Sequence, residues 1–191
     1  MKPNLRRKII VFKPPTALSL ANAAAEYLAK FSASKASLKR VLHNRLRRAA
    51  MRIPDFAADN AAQETMKREI DNIITRHKNS GMLNDEAYAE TKVNSLRRAG
   101  RSRRFIEQKL GQNGVKGDVV RGAIQKSDDG RQTTDYSDAE LEAATTYARK
   151  RRLGTFRTAK PTDDDRAKKD LSALARVGFS LDIARRALRG A

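Results

Sequence analysis

One phrase recurs three times in this chain and constrains the fold more than any other feature. The copies span residues 28–42, 96–110 and 174–188. Each begins with Leu, has Ser at its seventh position, and carries apolar residues four and eight positions beyond that serine. A spaced repeat of this kind predicts an array of similar supersecondary units.

The centre of each copy combines a signal that ends one helix with a signal that begins the next. The fifth position is Gly100 or Gly178 in the later copies, where glycine takes positive φ without steric cost. Ser32 occupies that position in the first copy, which predicts a weaker stop. The serine two positions later is a good N-cap, typically worth about 1 kcal/mol. Each copy therefore predicts a helix, a sharp turn and a second amphipathic helix.

The rest of the chain also has helical periodicity, and no segment has the alternation of a strand. We predict an all-α fold of about nine helices, arranged as an elongated array of repeated helical hairpins. Residues 55–62 and 155–162 are expected to be loops. The predicted divisions are a basic disordered tail (1–15), repeat 1 (16–80), repeat 2 (81–126), a polar linker (127–136) and repeat 3 (137–191).

The net charge of +19 indicates a polyanionic or acidic partner, although it carries no information about fold. The cations concentrate on the repeated hairpins, whereas the segments between them are neutral or acidic. The chain has no cysteine, which argues against disulfides and an oxidising compartment. Since no apolar run is long enough for a signal sequence or a membrane span, we expect a cytoplasmic protein.

No catalytic, cofactor or metal site is predicted. The sequence lacks a glycine-rich phosphate loop and a nucleophile with an adjacent base. His43 and His77 have no partners at metal-ligand spacing. The acidic run 163–165 is better explained as charge at a helix N-terminus than as a cation site, because consecutive side chains splay around the axis. We therefore expect a protein that is not an enzyme.

Arginines and lysines near the repeated turns are the candidate partner-binding residues. We predict a central patch in the second repeat, made of Arg97, Arg98, Arg101, Arg103 and Arg104. The predicted flanking residues are Arg40, Arg47, Arg48, Arg149, Lys150, Arg151, Arg152, Arg185 and Arg186.

The motifs of the second and third copies are more specific than helical periodicity alone. The segments are Leu83-Asn-Asp-Glu-Ala-Tyr88-Ala89, Gly100-Arg-Ser-Arg-Arg-Phe-Ile106 with Leu110, Gly114-Val115, and Gly178-Phe-Ser180 with Leu188. In this order they resemble the middle and closing repeats of the RecX regulatory proteins. The resemblance covers about 16–126 and 165–190.

The resemblance implies tandem three-helix repeats in a curved molecule. It also implies a regulator that lodges in the groove of the RecA recombinase filament on DNA, and we expect this regulator to be a monomer. There it would restrain ATP hydrolysis, strand exchange and filament extension, and so moderate homologous recombination, DNA repair and the SOS response. The first repeat departs from the family pattern at Ser32 and at Ser37, where the family usually has Glu.

Two other functions fit the charge. One is a general nucleic-acid-binding helical protein whose arginines contact DNA or RNA phosphates directly, with a steep salt dependence. The other is attachment to an anionic membrane, which the scarcity of exposed aromatic anchors argues against. Neither accounts for the repeated motifs.

Overall fold

The computed structural model describes residues 13–130, 136–158 and 164–190. Within these ranges the chain is all-α, with no strand. The helices are α1 (Ala17–Lys30), α2 (Lys35–Ala50), α3 (Pro54–Ala58), α4 (Asn60–Asn79), α5 (Asp85–Arg98), α6 (Arg103–Gln112), α7 (Gly117–Asp129), α8 (Tyr136–Arg151), α9 (Asp164–Arg176) and α10 (Leu181–Arg189), with a 3-10 turn at Gly154–Phe156. The chain divides into two compact units, with the boundary in the sequence between Leu83 and Asn84.

The serine caps have the predicted geometry in all three copies. The hydroxyl oxygen of Ser34 accepts from the Ser37 amide at 3.1 Å. Ser102 accepts from Phe105 at 3.2 Å, and Ser180 accepts from Ile183 at 3.3 Å. Each serine thus satisfies one of the amides that a helix start leaves without an intrahelical partner.

The glycine stops also have the predicted conformation, with φ of +74° at Gly100 and +95° at Gly178. The first copy ends its helix differently. Helix α1 ends at Phe31 in extended backbone, and Arg152 is the one non-glycine residue with positive φ among those described. Ser32 therefore does not adopt the left-handed stop, which agrees with the cost that a Cβ atom imposes there.

The first unit buries the apolar faces of its helices in one core. Leu20 and Ala24 of α1 pack with Leu38 and Leu42 of α2 and with Ile70 of α4. On α4, Ile70 and Ile73 are buried, and Met66 and Ile74 pack against the same core.

The prediction of a loop over 55–62 is wrong, and this difference brings the helix count to ten in the described ranges. Pro54 begins the extra helix α3 at a position where its missing N–H costs nothing. Phe56 anchors α3 in the core with 4% exposure. Asp59 then caps α4 by accepting from the Ala62 amide at 2.8 Å. One buried aromatic residue thus stabilises a helix too short for periodicity to reveal.

The second unit contains two cores. The α5–α7 core is built around Tyr88, Val93, Ile106, Leu110 and Val120. The α8–α10 core contains Ala144, Leu174, Phe179, Ile183 and Ala184. The many alanines are consistent with close packing of helices that carry few aromatic residues.

Two predicted boundaries in this unit need correction, and three predictions fall partly outside the described residues. Helix α7 continues to Asp129 and buries Ser127 and Asp128, so the first residues of the predicted 127–136 linker are helical. The 3-10 turn at Gly154–Phe156 begins the segment predicted as loop. Residues 1–12 of the predicted tail, 131–135 of the linker, and 159–163 (with Asp163) lie outside the described residues. The division into three repeats stays a prediction.

Candidate partner-binding surface

Arg97 was predicted to be a central contact residue, and this prediction is wrong. Its residue surface is 2% exposed. Its Nε and Nη2 atoms donate to both carboxylate oxygens of Asp128 on α7, at 3.0 and 2.8 Å. Its Nη1 atom donates to Oε1 of Glu140 on α8 at 2.6 Å. A guanidinium held by two buried carboxylates is part of the interior and has no face to offer a partner.

The charges around Arg97 are mutually compensating. Burial alone disfavours the guanidinium charge, but the hydrogen bonds to Glu140 and Asp128 outweigh it and raise the pKa of Arg97 above its ordinary value. Oε1 of Glu140 also accepts from the backbone N–H of Arg103 at 2.8 Å, at the start of α6. One carboxylate therefore ties together α5, α6 and α8.

The burial of Arg97 had a signal in the sequence. Ala89, Val93 and Arg97 are spaced by four residues, and Ala89 and Val93 are fully buried on α5. Arg97 therefore continues the apolar stripe of its helix. The acidic partners were not predictable in the same way, because Asp128 and Glu140 lie 31 and 43 residues away.

The turn between α5 and α6 lies directly against α8. A Cβ atom added at Gly100 would lie 2.7 Å from the Tyr147 nitrogen and 2.8 Å from the Ala143 oxygen. Both atoms belong to backbone, which cannot move aside cheaply. Glycine is therefore needed here both for its positive φ and for this close approach.

The turns of the second and third copies also contact each other. The Ser102 hydroxyl donates to the carbonyl oxygen of Val177 at 2.6 Å while it caps α6. A Cβ atom at Gly178 would lie 2.8 Å from that hydroxyl oxygen. Inside the second unit, the second and third copies of the phrase thus contact each other in addition to forming their own turns.

This packing brings four predicted cations together at one place on the second unit. Lys150, near the end of α8, donates from Nζ to the carbonyl oxygen of Arg98 at 2.8 Å. The guanidinium of Arg101 lies 4.8 Å from the Phe105 ring centroid and 5.9 Å from that of Tyr147. Arg151 lies 5.8 Å from the same Tyr147 ring. We call Arg98, Arg101, Lys150 and Arg151 the junction cluster.

The aromatic contacts pre-organise part of the junction cluster. A guanidinium on an aromatic face gains roughly 0.5–1 kcal/mol at an exposed site. Stacking uses the face of the guanidinium and leaves its edge of N–H donors, the part that matches a carboxylate or phosphate. Arg98, Lys150 and Arg151 are exposed, and Arg101 is half-buried against its two aromatic rings. The cluster therefore combines positive charge at the surface with side chains of restricted freedom, a combination that favours binding of an anionic surface.

The other predicted residues of the second repeat and of α8 have different surroundings. Arg103 is half-buried, and its Nε donates to Glu107 Oε1 at 2.8 Å. Arg104 is exposed and its aliphatic stem lies over the Gly178 turn. Arg149 is exposed and stacks on Phe156 at 5.3 Å. Arg152 is exposed at the end of α8. Arg104 thus remains a candidate contact beside the junction cluster.

The two predicted cations of α10, Arg185 and Arg186, have different surroundings. Arg185 is exposed and faces a groove of about 430 Å³ between the 3-10 turn, α9 and α10. Arg186 is half-buried, and its Nη1 donates to the Ser137 hydroxyl at 3.3 Å. Arg185 therefore remains the stronger candidate of the two.

The predicted cations of α2 belong to the first unit and are all exposed. Arg40 donates to the Ser37 hydroxyl at 3.4 Å, and Arg47 donates to the Asn44 side-chain oxygen at 3.0 Å. Arg48 lines a cleft together with Arg45 and Arg52, two arginines that sequence reasoning did not select.

The described part of the chain has neither a group of metal ligands nor a helix suited to cross a membrane. Across residues 13–130, 136–158 and 164–190, no three His, Asp or Glu side chains are grouped so as to hold a metal ion. Among the helices of those same ranges, none is both long and apolar enough to span a membrane.

Comparison with known proteins gives a consistent result. The family model for the second three-helix domain of RecX matches residues 84–124. The regulatory protein RecX of Myxococcus xanthus is 38% identical over 169 residues, which cover 88% of this chain and 83% of that protein. The RecX of Agrobacterium fabrum is 41% identical over 101 residues, covering 53% of this chain and 48% of that protein.

Solved structures agree at the level of fold. The crystal structure of RecX from Lactobacillus salivarius superposes with a TM-score of 0.60 at 19% identity, covering 91% of this chain and 94% of that one. A second RecX crystal structure gives 0.59 at 16% identity, covering 88% of this chain and 70% of that one. Because the Myxococcus xanthus relative is 38% identical along most of both chains, this chain belongs to the RecX family of regulatory proteins.

Proposed function

We propose that this protein is a non-enzymatic regulator that binds the RecA recombinase filament on DNA and inhibits its recombinase activity, ATP hydrolysis and extension. The partner is the one that membership of the RecX family implies. A regulator of this kind would act in the cytoplasm, where it would moderate DNA repair and the SOS response.

The junction cluster is the observation that supports the proposal most strongly. Its four cations come from two helix ends and a turn. Lys150 donates to the backbone carbonyl of Arg98, Arg101 lies over the rings of Phe105 and Tyr147, and Arg151 lies over the Tyr147 ring. A surface charge kept only for solubility needs no such fixation. Pre-organised arginine edges suit a partner rich in carboxylates and phosphates, as a protein filament on DNA is.

Strand exchange and RecA-dependent ATP hydrolysis test this function. We expect the purified full-length protein to inhibit both when it is substoichiometric to RecA. Absence of any effect at equimolar protein would reject the proposal.

Direct binding to nucleic acid is the alternative, and salt dependence separates the two. A phosphate-binding protein should bind naked single strands with a log–log salt slope of about −0.7 per phosphate contact. The proposed regulator should bind RecA filaments far more tightly than naked DNA. Equal affinity for both would favour the nucleic-acid-binding function.

A further inference from the structure

A second cationic feature lies in the first unit, in a cleft between the start of α1 and the end of α2. We call it the α1–α2 cleft. Its volume is about 450 Å³. Its lining includes the cations Lys13, Arg45, Arg48 and Arg52 and the apolar residues Ala49 and Ile53.

The cations of the cleft come from a short stretch of sequence. Arg45 and Arg48 lie three residues apart and therefore share a face of α2. Arg52 follows just beyond the end of that helix, and Lys13 approaches from the segment before α1. All four are exposed. Ala49 and Ile53 are half-buried and give the cleft an apolar wall.

The charge of the cleft is entirely of one sign. None of the described residues that line it is acidic. Like charges that line the same cleft repel each other, and a low-dielectric wall increases that repulsion. An anion in the cleft would offset this cost. Three guanidinium groups supply planar N–H edges that match phosphate oxygens in pairs.

The hydroxyl groups in the cleft are already engaged and contribute little to this inference. Thr16 Oγ1 accepts from the Ser19 amide at 3.2 Å, and Ser19 Oγ accepts from the Thr16 amide at 2.9 Å. These bonds form the capping box of α1. The cationic side chains, which carry the charge of the cleft, are therefore the groups that attract an anion.

We propose that the α1–α2 cleft binds closely spaced phosphate groups, as found in a polyphosphate chain or a nucleic-acid backbone, through Arg45, Arg48 and Arg52. Several cationic side chains lining one cleft can engage several phosphate groups, whereas a single carboxylate offers charge for only one of them. This site is separate from the junction cluster, and it stands whether or not RecA is the partner.

Two probes and two matched variants of the full-length chain test the proposal. The probes are a fluorescein-labelled oligothymidylate and inorganic tripolyphosphate, measured without any partner protein. The cleft variant is Arg45→Gln, Arg48→Gln and Arg52→Gln. The control variant is Arg68→Gln, Arg76→Gln and Lys78→Gln, which removes the same charge from exposed positions of α4. Circular dichroism verifies that both variants remain folded.

We expect the cleft variant to bind the phosphate probe at least about tenfold more weakly, whereas the control stays within about twofold. For the oligothymidylate, the plot of log binding constant against log salt concentration should become less steep by about 2, because three phosphate contacts of about 0.7 each are lost. Equal loss in the two variants would overturn the proposal, because it would assign binding to overall charge. Unchanged binding in the cleft variant would overturn it as well.

The two probes also distinguish the source of the phosphates. Cleft-dependent displacement of the oligothymidylate by tripolyphosphate would show that a compact phosphate chain suffices. Cleft-dependent binding of the oligothymidylate alone would identify a nucleic-acid backbone. Both results support the site, and both are independent of any effect on RecA.

Discussion

Replacing Arg97 with Met is the most informative perturbation of the fold. Methionine is unbranched, apolar and close to arginine in volume, so the main effect is the loss of charge and of hydrogen-bond donors. Arg97 makes three bonds to carboxylates, two to Asp128 and one to Glu140, at 2.6 to 3.0 Å. The side chains of Asp128 and Glu140 are only 12% and 8% exposed. The substitution therefore leaves two buried carboxylates without their cation.

The expected cost is about 3–5 kcal/mol, the range found when one partner of a buried ion pair is removed. With a urea m-value of about 2 kcal/mol/M, the unfolding midpoint should fall by about 1.5–2.5 M. Because the chain has two compact units, hydrogen exchange of peptides from 84–130 should accompany circular dichroism. The loss should be confined to the second unit.

Two further variants make this prediction specific. Arg98→Met alters the adjacent, exposed arginine and should change the free energy of unfolding by no more than about 0.5 kcal/mol. The triple variant Arg97→Met, Asp128→Asn and Glu140→Gln removes all three charges and should recover at least about 2 kcal/mol. A loss below about 1 kcal/mol for Arg97→Met alone would refute the reasoning.

Two more predictions concern backbone geometry and pH. Gly81 and Gly100 both have positive φ, but a Cβ atom at Gly81 meets open space, whereas one at Gly100 meets backbone atoms of α8. Gly81→Ala should therefore lower the free energy of unfolding, measured in urea, by about 1 kcal/mol, and Gly100→Ala should lower it clearly more. Equal losses in the two variants would contradict this packing. Burial and the neighbouring Lys39 lower the pKa of His43 despite the opposing Asp71, so the unfolded chain binds more protons near pH 6. The stability advantage of the native protein over His43→Gln should therefore be present above about pH 6.5 and decline as pH falls through that value, and a pH-independent difference would contradict the prediction.

The helix boundaries of the repeats were predictable because their signals are local. The serine at each copy's seventh position reaches an amide three residues ahead, as for Ser102 and Phe105. Gly100 and Gly178 are likewise needed by the turns in which they lie. Helix α3 was missed because Phe56 stabilises it through the core and not through a periodic pattern.

The candidate site was less predictable because its organisation is non-local. Lys150 bonds to Arg98 across 52 residues of sequence, and Glu140 bonds to Arg97 across 43. Composition alone cannot distinguish a buried arginine from an exposed one in the same basic segment. Arg97 is buried in the interior, whereas its neighbour Arg98 is exposed. The spacing of Arg97 from Val93 was the one local sign of this difference.

Binding to RecA filaments on single-stranded DNA by two charge-reversed proteins tests the central claim most directly. One carries Arg98→Glu, Arg101→Glu and Lys150→Glu in the junction cluster, and the other carries Arg68→Glu, Arg76→Glu and Lys78→Glu on α4. Both lose the same net charge. The junction-cluster variant should have a dissociation constant at least about tenfold higher than that of the α4 variant, since only it alters the pre-organised surface. Equal dissociation constants for the two variants would contradict the account.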